Sequence, residues 1–284
     1  MSFFNYNGKL FKDGESIIGP ANRGLRYGDG LFETLKCLNG RLILSNEHFA
    51  RLWKGMKTLQ FEIPAHFTPD FLQNELLKLI EKNGHQKTAR VRLTIIRGNG
   101  GLNDAINHFP NYLIETWPLQ NDDGREKGSQ LNSNGLVLGI YLEIKKSCDL
   151  LSNLKHNNYL PSVLAALHAK KEKWNDAILL NNNGRICEST IANIFIIKEG
   201  KVSTPALTEG CVAGVLRKEI LRSSVNTNLQ YEERLITVED LMEADEIFLT
   251  NSINDIRWVK NIAGKTYDNV ITGQINAAFL PTIY

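Results

Sequence analysis

The stretch Ser152–Val163, SNLKHNNYLPSV, sets a lysine amine just ahead of a run with helical spacing. Asn157 or Asn158 can cap the helix that follows, Pro161 is tolerable because it falls in the first turn, and Leu160, Leu164 and Leu167 form its apolar line. Lys155 taken alone has two readings: a solvated charge, as most lysines are, or a nucleophilic amine whose pKa falls readily once water is removed. Its neighbours in sequence do not choose between them.

Downstream, AILL, NNNG, RICESTIANIFII, KEGK and VSTP alternate apolar runs with turn signals, as a strand meander does. Glu188 falls within that meander. Half buried, it could hydrogen-bond a heterocyclic ring nitrogen and keep it protonated; on an outward strand face it would be an ordinary surface acid. In TEGCVAGVLRKEIL, Gly214 precedes a helical run whose first N–H groups suit phosphate, although glycines in that position also serve simple turns. EIFLTNSINDIRWV then returns to strand-like composition.

Upstream, SNEHFARLWKGMKTL predicts a helix capped by Ser45 or Asn46, with Phe49, Leu52 and Met56 on one face. Arg51, one turn past His48, could add a bidentate contact to an anion. PDFLQNELLKLIEKNG predicts a second helix, buried through Phe71, Leu72, Leu76, Leu79 and Ile80 and stopped by Gly84. RLIL and ARVRLTII read as short strands. The least apolar stretch, Gln120–Gly135, reads as an exposed connection, giving a small lobe over residues 1–119, a linker over 120–135 and a larger lobe over 136–284.

The chain has 284 residues and a formal charge of +2, which gives no electrostatic reason to expect nucleic acid or a membrane surface. No stretch approaches the roughly 20 apolar residues of a spanning helix, and the N-terminus does not read as a secretory signal. Cys37, Cys148, Cys187 and Cys211 are widely spaced, and the histidines lack ligand spacing, so a reduced, cytoplasmic protein without a metal site is expected. No repeat recurs, and mixed α and β in two lobes is the architecture predicted.

Five blocks together carry a resemblance: RGLRYGDGLFETLKCLNGRLILSNEHFARL, LKHNNYLPSVLAA, NNNGRICESTIANIFIIKEGKVSTP, EGCVAGVLRKEIL and ADEIFLTNSINDIRWV. In order and spacing they resemble the class IV aminotransferase family, the fold-type IV pyridoxal phosphate enzymes. That family includes D-amino-acid and branched-chain aminotransferases and 4-amino-4-deoxychorismate lyase. The resemblance implies pyridoxal 5'-phosphate as cofactor, Lys155 as its Schiff-base lysine and proton carrier, and Glu188 as partner of the pyridine nitrogen. It also implies that Arg51, the backbone of Val215 and Leu216 and the Ser252 hydroxyl hold the phosphate. A cofactor cleft between the lobes, a small amino substrate and a homodimer are further expectations.

Within the family the compact KHNNYL resembles the lyase and D-amino-acid branches more than the branched-chain one. Asn251 and Thr34 match residues of the lyases, the threonine lying near substrate there. Leu102 departs from the family: both similar branches carry a carboxylate-binding arginine at that place, and its loss removes a contact worth about 1.5–3 kcal/mol. Arg26 and Arg257 are candidate replacements, while Arg97 is expected to support its loop. The resemblance therefore implies a lyase that releases 4-aminobenzoate and pyruvate for folate synthesis. The alternatives are an amino-acid aminotransferase with a 2-oxo acid as acceptor and a relative that binds cofactor without turnover.

Overall fold

The computed structural model describes residues 2–119, 131–222 and 229–284. The chain forms two compact units, Met1–Gln120 with Leu154–Asn158, and Asn121–Asn153 with Tyr159–Tyr284. Residues 120–130 of the expected linker lie outside the described residues. Of the rest, Ser133 and Asn134 are exposed, but Asn132 is buried, and its side-chain amide donates to the carbonyl of Trp258 (3.1 Å) and accepts from its N–H (2.9 Å). An amide that can pair with both backbone groups of a strand residue is favoured inside, whatever the polarity of its sequence neighbours.

The first unit contains β1 (Phe3–Tyr6), β2 (Lys9–Lys12), α1 (Arg23–Tyr27), β3 (Gly30–Leu38), β4 (Arg41–Leu42), α2 (Ser45–Thr58), α3 (Pro69–Lys82), β5 (Thr88–Ile96) and β6 (Asn111–Pro118). Its six strands form one sheet in the order β2-β1-β6-β5-β3-β4. Alternation divides the sheet into two faces. Leu31, Leu35, Val91, Leu93, Ile95 and Ile114 join Phe49, Leu52 and Met56 of α2 and Leu72, Leu76, Leu79 and Ile80 of α3 in one core. The other face carries the cross-strand pairs Phe32 with Thr94, Thr34 with Arg92 and Lys36 with Arg90.

Both helices have the buried lines expected of them, except that Phe71 is only partly buried. Thr68 caps α3, its hydroxyl accepting the Phe71 N–H at 3.1 Å, with Pro69 following where its missing N–H costs nothing. For α2 the expected cap fails. The helix begins at Ser45 itself, and the capping position falls to Leu44, in a left-handed conformation with φ 53° and without a side-chain hydrogen bond.

The second unit contains β7 (Leu136–Lys146), α4 (Leu160–Lys171), β8 (Asp176–Asn181), β9 (Ile186–Ser189), β10 (Asn193–Lys198), β11 (Lys201–Pro205), α5 (Val215–Arg222), β12 (Gln230–Arg234), α6 (Val238–Glu243), β13 (Glu246–Asn251), β14 (Asp255–Ile262), β15 (Lys265–Thr266) and α7 (Val270–Ile283). The sheet order is β12-β11-β10-β13-β14-β7-β8-β9, with β15 paired to β14. Every residue of β8 is buried, and Ile178, Ile194, Ile196, Ile247, Leu249 and Val259 build the main core.

Helix α4 overturns the expected apolar line. Its buried face is Ser162, Ala165 and Ala169, packed near Tyr141, Ala177 and Leu179, whereas Leu160, Leu164 and Leu167 are 71%, 42% and 60% exposed. Small residues let the helix approach its sheet closely, which turns the leucines outward. Nor do Asn157 and Asn158 cap it; Tyr159 occupies that position without a side-chain bond. The Asn157 N–H instead donates to the Gly30 carbonyl at 3.0 Å, in the first unit.

Candidate active site

Lys155 is held by strand-like pairing. Its carbonyl accepts the Phe32 N–H at 2.8 Å, and Leu31 and His156 form an antiparallel bridge. Residues 154–158 thus extend along β3, and Lys155, opposite Phe32, shares its face. The Lys155 Nζ stands 4.4 Å from the centroid of the Phe32 ring. Thr34, two residues along the same strand, lies on that face as well.

On the core side of β3, Glu33 and His48 are each 1% exposed. Arg51 donates Nε to Glu33 Oε1 at 2.8 Å and Nη2 to Oε2 at 2.5 Å, while His48 Nδ1 lies 2.7 Å from Oε2. Arg51 therefore presents its fork to Glu33. Burial alone would raise the Glu33 pKa; the Arg51 charge and hydrogen bond, helped by His48, reverse this and hold it at about 2. Burial lowers that of His48, and Arg51 and Lys155 oppose its charging further, against the pull of Glu33. A neutral His48 donates from Nδ1 to Glu33. Its Nε2 is buried without a hydrogen-bond partner.

The folded pKa of Glu33 lies below its unfolded value, so its contribution to stability is present above that value and lost as pH falls through the folded one. Glu33→Gln should therefore be much less stable than the parent at neutral pH, the gap closing between about pH 4 and pH 2. Urea midpoints of both proteins across that range check this.

In the second unit, Glu188 on β9 is buried, and its surroundings were not legible in sequence. Lys146, at the end of β7, pairs with Oε1, and the Val212 N–H donates to Oε2 at 2.9 Å. The two side chains are 16% and 7% exposed. Burial would lower the Lys146 pKa, yet the Glu188 charge and hydrogen bond raise it above its ordinary value. Tyr159 belongs to the same cluster, its phenol pushed up to about 12 by burial and then by Glu188.

Val215 and Leu216 open α5 and are buried. Gly214, just before them, has no room for a side chain: a Cβ there would lie 1.8 Å from Asn193 Oδ1, and Asn193 Nδ2 is tied to the Val212 carbonyl at 2.9 Å. Arg217, buried, donates to the Pro205 carbonyl at 2.8 Å and pairs with Glu233, anchoring the first turn.

Of the remaining candidates, Asn251 and Arg257 line one cavity of the second unit. Asn251 ends β13 and spends its side-chain oxygen on a turn, accepting the N–H of Ile253 (3.0 Å) and Asn254 (2.8 Å); Ser252 sits within that turn. Arg257 is on β14, opposite Leu249. Arg26, exposed on α1, donates Nε to the Pro20 carbonyl at 2.7 Å. Arg97, expected to support its own loop, bonds Asp29 at 2.9 Å and the carbonyls of Leu59 and Gln60, all outside that loop. All four cysteines are free, and no helix among the described residues is long and apolar enough to cross a membrane.

Residues 30–262 match the model of the amino-transferase class IV family, and the chain belongs to that family of pyridoxal-phosphate-dependent enzymes. It is 30% identical over 254 residues to the aminodeoxychorismate lyase of Vibrio harveyi, covering 88% of this chain and 89% of that one. It is 26% identical over 272 residues to the D-alanine aminotransferase of Bacillus licheniformis, covering 95% and 92%. Its fold is that of the Escherichia coli branched-chain amino acid aminotransferase, with a TM-score of 0.87 at 24% identity over 99% of this chain and 94% of that one.

Proposed function

We propose that this enzyme is a lyase acting on 4-amino-4-deoxychorismate and releasing 4-aminobenzoate and pyruvate. The observation that carries the reading is the position of Thr34, the residue that resembles the lyase threonine. It shares a face of β3 with Phe32, against whose ring the Lys155 amine stands. The 30% identity to a lyase supports it.

The residues present fit pyridoxal phosphate. Glu188, a buried carboxylate, suits the pyridine nitrogen; the N-terminus of α5, opened by Val215 and Leu216, suits a phosphate. Val215, Leu216, Ser252 and Arg51 would hold that phosphate, and Lys155 would hold the aldehyde carbon. When bound, the cofactor supplies an electron sink for charge developing on the substrate carbon that bears the amine. Lys155, as the free amine, would remove the proton from that carbon; the electron pair then expels the enolpyruvyl oxygen from the neighbouring ring carbon, the ring becomes aromatic, and the released enolpyruvate takes up a proton to give pyruvate. Glu188 would hydrogen-bond the pyridine nitrogen, and Lys146 with the Val212 N–H holds the Glu188 carboxylate in place.

Purified protein given 4-amino-4-deoxychorismate should release 4-aminobenzoate. No product, with amino transfer from D-alanine or a branched-chain amino acid to 2-oxoglutarate, would establish the aminotransferase reading instead. Protein that takes up no pyridoxal phosphate would overturn both.

We also infer a homodimer formed through α4. Leu160, Val163, Leu164 and Leu167 recur at helical spacing on its exposed side, an apolar stripe of the kind that marks an association surface. Replacing Leu164 and Leu167 together by Glu should halve the mass seen by light scattering; an unchanged mass would remove the interface from this helix.

A further inference from the structure

We infer that the Thr250 hydroxyl donates to a phosphate monoester seated at the start of α5. The inference rests on the phosphate placement proposed above and adds a donor that neither motif nor resemblance assigned. Thr250 lies in β13 and is 2% exposed, and its Oγ1 is buried without a hydrogen-bond partner. Among the described residues it is the only hydroxyl in that state. Other buried hydroxyls of the same unit are spent inside the protein: Thr204 Oγ1 donates to the Ile194 carbonyl at 2.7 Å, Ser189 Oγ to that of Ala192 at 3.2 Å, and Thr272 Oγ1 to Glu246 at 2.7 Å. A hydroxyl taken from water with nothing to bond is costly, and valine would fill the same space in a strand without that cost. The missing partner is therefore a group that binds beside it.

Strand register shows where the hydroxyl lies. Asn193 stands opposite Thr250, and Phe195 opposite Phe248. The rings of Phe195 and Phe248 stack with centroids 4.8 Å apart, so that pair shares one face of the sheet, and alternation puts Asn193 and Thr250 on it as well. Asn193 reaches from this face to the segment that enters α5. Its Nδ2 donates to the Val212 carbonyl at 2.9 Å, and its Oδ1 stands where a side chain on Gly214 would have to go. Helix α5 itself packs against β13. Thr250 thus adjoins, one strand over, the side chain that fixes the opening of the helix.

The chemistry of the place selects the ligand. The N–H groups that open a helix have no carbonyl of their own helix to bond, and those of Val215 and Leu216 open α5. They can only donate, and the hydroxyl adds a further donor, so the complement is an anion with several acceptor oxygens. A phosphate monoester has enough terminal oxygens to meet helix N–H groups and a hydroxyl at once.

The test uses the full chain, freed of cofactor and titrated with pyridoxal phosphate and, separately, with pyridoxal, which has the ring and aldehyde without the phosphate. Thr250→Val keeps the shape of the side chain and removes the hydroxyl. It should raise the Kd for pyridoxal phosphate about 10- to 100-fold and leave that for pyridoxal unchanged. Thr250→Ser, which keeps the hydroxyl, should bind pyridoxal phosphate nearly as the parent does. The thermal midpoint of cofactor-free Thr250→Val should equal or exceed that of the cofactor-free parent, because an unsatisfied group is gone, while its rise on adding pyridoxal phosphate should be smaller. Equal affinity of parent and Thr250→Val for pyridoxal phosphate, an equal loss for pyridoxal, or a lowered midpoint of the cofactor-free variant would each overturn the assignment. A parent that binds pyridoxal as tightly as pyridoxal phosphate defeats the phosphate placement itself and the assignment with it, a result distinct from the other three.

Discussion

Lys155→Ala is expected to lower turnover by about four orders of magnitude, the upper range for loss of a positioned proton-transfer group. The same change should abolish the visible absorbance that borohydride bleaches in the parent. Both effects can be expected without unfolding, because Lys155 is placed by its backbone: its carbonyl takes the Phe32 N–H, and the Asn157 N–H reaches Gly30. Truncation removes a half-buried chain from the Phe32 ring and leaves those bonds intact. Activity within tenfold of the parent, or retention of the borohydride-sensitive band, would sink the assignment of Lys155.

Lys146→Met should cost about 3–5 kcal/mol of stability, because it leaves Glu188 buried without its counter-ion. Removing both charges, Lys146→Met with Glu188→Leu, should recover much of that loss, since an apolar pair of similar volume avoids the desolvation of two ions. The pH dependence has a definite sign. The folded pKa of Lys146 is raised, so its contribution is complete below its unfolded value of about 10.4 and lost only as pH rises through the folded one. Chemical denaturation at neutral pH should therefore separate parent from single variant clearly, with the difference narrowing in strong alkali. A single variant as stable as the parent at neutral pH would show that the pair contributes nothing.

Much of the fold was legible because the periodicities are strong. The buried lines of α2 and α3, the stop near Gly84 and the strands from β8 to β11 follow directly from spacing and turn residues. The failures have physical causes. In α4 the leucines suggested a core face, but alanines at Ala165 and Ala169 permit closer packing than leucines would, and the helix turned them inward. Asn157 and Asn158 read as caps because sequence shows only local partners; the backbone of Asn157 had a distant one in Gly30. Lys146 escaped notice for the same reason: it has no motif and acquires meaning only from the fold, which sets it beside Glu188. Glu33 sat in the quoted block GDGLFETLK, where an acid among apolar strand positions on the core side was a signal that could have been read.

The pairing of residues 154–158 with β3 also bears on how the enzyme is made. That edge of β3 is closed by a segment far downstream in the chain, a contact of high sequence separation that must wait for a long loop to close. A nascent chain released only through its first lobe could assemble α2, α3 and most of the sheet, yet would expose an unpaired strand edge at Phe32. The arrival of Lys155 repairs that edge. The reactive amine thus doubles as the closing piece of a folding unit, and a truncated product would lack its chemistry and carry an aggregation hazard at the same place.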